Sequence, residues 1–328
     1  MLQDKFLGAL PFYSPKKLPE GYAQQAKNCE VENGQLRPLT GFASVNTLTQ
    51  SGDLRTIYKL DDVWLAWVND VDVVKGEISN SNFRIFYLGD GFPKQTDYSL
   101  ATSGTEDTYP TEFRRLGVIP PLQPLTVEII NSAGADIIRS TSYVYTYVTS
   151  WGEESKPSPE TAIFDVYEGQ FCRLSNFYLE SGTDNDVTNL RIYRINVGSS
   201  AAEYQFVDEI DTSETSYDDE KTDEELGEVL LTEGWNPLGV DFDYENQTWS
   251  DATEQPEGLI QASNGVQAAF QGNTIFFTEP FYPYAWPYSY KTDEDIMGLG
   301  YFQDIIVAVT KAYPYLFTGS DPETLSKE

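Results

Sequence analysis

The sequence predicts a mainly β protein: a discontinuous, partial β-propeller-like platform carrying an inserted immunoglobulin-like β-sandwich. Three observations carry that expectation. Aromatic residues reach 14% of the chain (22 Tyr, 18 Phe, 6 Trp), and such side chains suit a pleated, half-buried surface. With 18 Pro and 24 Gly, the composition is that of many short strands joined by turns. Helical periodicity is nearly absent; the best helix candidates are short stretches at residues 21–29 and from Leu325 onward.

Taken in order, residues 55–60 and 63–68 flank Asp61-Asp62 and read as a hairpin. Residues 83–88 follow, closed by Gly89-Asp90-Gly91. Strands of this length make one propeller blade or a small meander. The run from Ile119-Pro120-Pro121 to Pro124 is a stiff hinge and a boundary. Beyond it, residues 142–149 (STSYVYTYVT from 140) alternate with period 2, which predicts one apolar face and one wet face. A loop at 153–159 precedes further strands at 161–166, 170–174, 190–195 and 204–210, with a last one near Tyr217. Strands at this spacing over roughly 100 residues are the signature of an immunoglobulin-like or fibronectin type III sandwich. The acidic stretch 218–225 is its exit linker. The expected organisation is therefore 1–119 and 226–328 as two parts of the platform, with 120–225 as the insert. Within the second part, residues 264–318 form a dense run of strands with turns at Gln271-Gly272-Asn273 and around Lys311. Ser320-Asp321-Pro322-Glu323 then reads as a capping box with a proline in the first turn. A helix announced so close to Glu328 predicts a layer completed by further chain or by another subunit.

The charge balance is 21 − 52 = −31, with no histidine. A surface this acidic repels phosphate backbones and anionic lipids, which argues against gripping nucleic acid through its phosphates. Two readings of the excess stay open: a conduit through which a polyanion slides without sticking, or simple solubility of an assembling protein. Without histidine, Ser-His-Asp and Cys-His nucleophile arrangements and imidazole zinc sites are excluded. Cys29 and Cys172 have no CxxC spacing, and read as two buried reduced thiols of a protein folded in a reducing cytoplasm. Asp4 and Lys5 precede only a short apolar patch, so neither a signal peptide nor a membrane span is expected.

Asp241-Phe242-Asp243-Tyr244-Glu245 alternates carboxylates but lacks the glycine turn and distant glutamate of an EF-hand; a solvated strand face accounts for it. Asp184-Asn185-Asp186 after Ser181-Gly182 is a turn composition, read as a surface loop. Gly298-Leu299-Gly300 is too short for a nucleotide-binding fingerprint. A glycosidase carboxylate pair has no support beyond the number of acids. Residues 281–290 hold Phe281, Tyr282, Tyr284, Trp286, Tyr288 and Tyr290 with two prolines. They read either as a ligand shelf or, the favoured reading, as a rigid packing segment at a domain or subunit interface. No catalytic, cofactor-binding or metal-ligating residue is assigned.

Two segments carry a family resemblance: Phe277–Pro287 (FTEPFYPYAWP) and Ala312–Glu323 (AYPYLFTGSDPE). The start does so too, in Leu18–Glu30 (LPEGYAQQAKNCE) and Gly34–Leu39 (GQLRPL). They resemble virion proteins of tailed bacteriophages, specifically tail tubular or nozzle-type proteins of short-tailed phages. That resemblance implies a ring-forming structural protein without cofactor, often six-fold, built on a propeller-like platform with inserted β-domains. It implies partners as well: copies of itself, an adaptor and fibres of the tail, and DNA passing without specific binding. The implied setting is the virion tail. Proteins of that kind continue well past the final motif, and this chain departs from them by stopping at Glu328. The alternatives are a receptor-binding or polysaccharide-depolymerising tailspike-type protein, and a neck or collar protein at the head–tail junction.

Overall fold

The structure, a computed structural model, describes the chain apart from residues 1–5, 33–34, 40, 42, 78–81, 105–107, 180–183, 198–202, 244, 247, 263–264, 320 and 328, with backbone alone at 30–32, 35–36, 38 and 196–197. Ser320 of the expected capping box, the Ser181-Gly182 turn, Tyr244 of the acidic alternation and Gly34 of the N-terminal motif lie outside the described residues. The chain divides into two compact units, Met1–Thr47 and Leu48–Glu328. In the first, β1 (Gly8–Ala9) pairs in parallel with β2 (Tyr22–Ala23), and β3 (Cys29–Glu32) pairs antiparallel with β4 (Gln35–Pro38). The expected helix at 21–29 does not form: Tyr22 and Ala23 enter the β1 pairing, and Gly21 before them sits at φ +90°.

The second unit opens with the hairpin of β5 (Thr56–Leu60) and β6 (Val63–Trp67), turned at Asp61 with φ +51°. A four-stranded antiparallel meander follows: β7 (Asp72–Lys75), β8 (Ile85–Leu88), β9 (Lys94–Thr96) and β10 (Arg114–Arg115). Between β9 and β10 lies one turn of helix that sequence reasoning missed, α1 (Tyr98–Ala101), whose Asp97 cap accepts the Leu100 N–H at 2.9 Å.

The sandwich comes next. One sheet has the order β11 (Thr126–Ile130), β14 (Phe171–Ser175), β17 (Ser216–Asp219). The other runs β13 (Phe164–Tyr167), β12 (Ile137–Thr149), β15 (Val187–Val197), β16 (Gln205–Asp211). Between them pack Tyr143, Tyr145 and Tyr147 of β12 with Val166, Cys172, Leu174, Leu190, Ile192 and Val207. Cys172 and Cys29 are free thiols, the first buried.

The wet face expected for 142–149 is buried as well. Val144, Thr146 and Val148 are covered: Val144 clusters with Tyr193, Tyr204 and Leu230, and the Thr146 hydroxyl donates to Glu154 at 2.7 Å. The free edge of β12 is closed by residues 155–161, so the strand expected at 161–166 begins only at Phe164, in β13. Ser155, Ser158 and Thr161 donate backbone N–H groups to the carbonyls of Tyr147, Tyr145 and Tyr143 (2.9, 2.8 and 3.0 Å). Their hydroxyls accept the N–H groups of the same three tyrosines (2.9, 3.2 and 3.0 Å). A spacing of three is the period of a polyproline-type strand, and Pro157 and Pro159 fall between the contacts. An edge satisfied this way offers no ladder to another chain. Asp219 and Arg194, both fully buried, pair at 2.6 Å, and the Tyr143 hydroxyl donates to the same Asp219 oxygen at 2.6 Å.

After the sandwich, β18 (Val240–Asp243) and β19 (Thr248–Asp251) form a hairpin whose Phe242 and Trp249 rings are 4.8 Å apart. Two more four-stranded meanders follow. The first has β20 (Glu257–Gln261), β21 (Gln267–Gln271), β22 (Thr274–Phe277) and β23 (Tyr288–Lys291). The second has β24 (Ile296–Phe302), β25 (Ile305–Thr310), β26 (Tyr315–Thr318) and β27 (Ser326–Lys327). The helix expected from Leu325 is absent. Asp321 caps a single 3₁₀ turn, Pro322–Thr324, after which the chain folds back as β27 on β26.

The three meanders pack face to face in an open arc, none closed on itself. Val74, Phe86, Leu88 and Leu116 of the first meet Leu259 and Ala269 of the second. Ala268, Phe270, Ile275 and Phe277, on the other face of the second, meet Ile296, Ile306, Ala308 and Phe317 of the third. Strand β20 touches both neighbours, and a register shift between Glu257 and Ile260 lets the Gly258 N–H reach Asp72 at 2.8 Å. Among the described residues no helix is long and apolar enough to cross a membrane.

Candidate functional site

The aromatic segment between β22 and β23 divides into an inward half and an outward half. Trp286 is buried in the core between the first two meanders. Tyr288 donates its hydroxyl to Glu279 at 2.8 Å, and Tyr290 donates to the Pro322 carbonyl at 3.0 Å while packing on Phe277 and Phe317. These three are internal packing. Phe281 and Tyr282 remain 55% and 45% exposed. Tyr282 and Tyr284 both pack on Trp235, with ring centroids 5.1 and 5.7 Å away.

The outward half walls a cleft of about 370 Å³. Phe86 and Arg84 of the first meander form one side, with Gly76 and Glu77 after β7. Gln261 and Gln267, at the turn between β20 and β21, line another, and the sandwich contributes its tip, Trp151-Gly152-Glu153. Gly152 lies at φ +75°, a left-handed turn that suits glycine.

A charge network holds these parts in place. Glu153, 2% exposed, accepts from Arg84 at 3.0 Å and from Gln95 at 2.7 Å. Burial pushes the Glu153 carboxyl above its ordinary range, and Arg84 and Gln95 only partly oppose it. Burial likewise lowers Arg84 against the pull of Glu153. Arg84 and Arg114 both lie over the Trp151 ring, at 3.9 and 4.2 Å from its centroid. Tyr284 is raised far above the usual phenol range, first by burial and then by the negative field of Glu153, so its hydroxyl stays protonated.

The loop at 184–186, expected to be a plain surface turn, clamps the sandwich to the first meander. Asp186 pairs with Arg114 at 2.6 Å, and Asn185 accepts from the Ile119 N–H (3.1 Å) and donates to the Gly117 carbonyl (2.9 Å). Local composition gave no signal for this, because its partners are distant in sequence. Asp241 and Asp243 lie on β18, where Asp243 accepts the N–H groups of Glu245 and Asn246 and so fixes a turn.

Compared with known proteins, the sequence matches no family model and no curated protein.

Proposed function

We propose that this chain is a structural subunit of a bacteriophage tail, of the nozzle or tail-tube ring class. It assembles with copies of itself around the path of ejected DNA and offers docking surface to an adaptor or fibres. The supporting observation is the outer face of the third meander. Each sheet of the arc covers the apolar face of the one before it, yet this last face stands open. It presents Phe302 (69% exposed), Val309 and Met297, with Ile305, Val307 and Leu316 half-covered between them. Gly298 and Gly300 keep it flat, since a Cβ at either would meet nothing within 4 Å.

An apolar sheet face of this kind is a subunit contact rather than a solvated surface. The −31 charge disfavours adhesion of a passing polyanion to the assembled ring. The motifs at 277–287 and 312–323 that resemble tail proteins flank and include this region. The test is light scattering of the purified chain across a concentration series, with electron microscopy of the particles. A cyclic oligomer is expected, dispersed to monomers by Phe302→Glu with Val309→Lys and with little change in melting. A wild-type chain that stays monomeric at every concentration would overturn the reading. Antibody labelling of intact virions separates a tail-end ring from a collar at the head–tail junction.

A further inference from the structure

We propose that the cleft beside Phe281 binds a neutral saccharide. The proposal is independent of ring formation and starts from the backbone. Phe281 has φ +65°, a left-handed conformation that is an outlier for a bulky residue. The surroundings enforce it. Its N–H donates to the Gly265 carbonyl at 3.1 Å, and a Cβ on Gly265 would come within 2.5 Å of the Phe281 ring. This strain does not serve the core, since the ring is half-exposed at the cleft and stacks on no other aromatic ring among the described residues. A fixed, unstacked aromatic face at a cleft mouth is a platform for the C–H face of a sugar ring.

The polar groups specify the rest. Gln267 is 2% exposed, and its Oε1 has no hydrogen-bond partner among the described residues. Its Nε2 donates to Gln261 Oε1 at 3.2 Å, and Gln261 Nε2 donates in turn to Glu77 Oε1 at 3.3 Å. The relay points every donor outward and leaves an acceptor at its inner end and a carboxylate at its outer end. Both call for hydroxyl donors. Arg84 is the one cation among the described lining residues, and it is already held by Glu153 and stacked on Trp151. With Glu77 and Glu153 also in the lining, the described residues set two carboxyl groups against that one cation, which disfavours a phosphate, sulfate or acidic sugar. A cationic ligand would need several ring faces around one point, but Tyr282 and Tyr284 are packed on Trp235 and lie edge-on to each other at 87°. The volume falls within the range of small-ligand sites and suits one or two sugar rings.

Saturation-transfer NMR on the full chain tests this with cellobiose, maltose and lactose as neutral probes, sialyllactose as the acidic one and choline as the cation. Transfer to the ring protons of at least one neutral disaccharide is expected, with little or none to sialyllactose or choline. Phe281→Asn keeps a residue that tolerates the left-handed backbone while removing the ring; it should weaken binding roughly tenfold or more without lowering the melting temperature. Gln267→Leu should also weaken it. No transfer to any neutral sugar, transfer that survives Phe281→Asn, or a choline signal in place of a sugar signal overturns the proposal.

Discussion

Arg194 and Asp219 sit wholly inside the sandwich at its exit, and the Arg194 guanidinium also donates to the Lys221 and Thr222 carbonyls (3.1 and 3.3 Å). Removing Arg194 strands the Asp219 charge in a dry site, so Arg194→Met should destabilise by about 3–5 kcal/mol in urea unfolding, and Asp219→Ala by less, because Arg194 keeps Asp223 at 3.1 Å. The double variant should lose less than the sum, because no carboxylate is then left buried without its cation. Glu153 makes a different prediction. Its folded carboxyl is raised above the reference value of 4.5, mainly by burial. The folded state therefore holds the proton more tightly, and the associated stability is full below that value and lost as pH rises through the raised one. Glu153→Gln abolishes this titration. The melting-temperature difference, wild type minus variant, should fall steadily as pH is raised from about 4 to about 8. A flat difference would mean that Arg84 and Gln95 balance burial, and a rising one that they outweigh it.

At the scale of elements, β20 has the most demanding position, and Gly258 is the residue that allows it. Its φ is +71°, and a Cβ there would come within 2.3 Å of the Phe270 ring. Gly258→Ala combines left-handed strain with overpacking, and should cost about 2–4 kcal/mol by thermal or urea unfolding. How much of this was legible beforehand depended on how local its cause was. The hairpin at Asp61, the alternation that became β12 and the closely spaced strands after residue 264 rest on period-2 pattern and turn chemistry within a few residues. The polyproline edge at 155–161 did leave a trace, Ser-x-x-Ser-x-x-Thr with prolines between, but its period is neither that of a strand nor of a helix. The Arg84–Trp151–Arg114 stack left none, since 67 and 37 positions separate the arginines from the ring. Nor did composition tell which aromatics of 281–290 face inward, because that is decided by sheets packing behind them.

At the scale of the whole molecule, 52 acidic side chains against 21 basic ones make both folding and association work against self-repulsion. Raising sodium chloride from about 20 mM to about 0.5 M shortens the screening length severalfold. The melting temperature should rise with it, and so should the oligomeric fraction if the open face of the third meander is the contact. An association that weakens with salt would point instead to ion pairs between subunits.

The insertion of the sandwich also sets an order in time. The face formed by Val74, Phe86, Leu88 and Leu116 is covered by Leu259, Ala269 and Trp286, and the Gly258–Asp72 bond that joins these sheets spans 186 positions. Closing so long a loop of unfolded chain is entropically opposed, whereas a folded sandwich, with β11 entering and β17 leaving on the same sheet, shortens the gap to its two ends. On the ribosome, the first meander therefore waits with an apolar face uncovered while the whole insert is made. Slowing the folding of the sandwich should therefore expose that waiting face to aggregation before the arc can assemble.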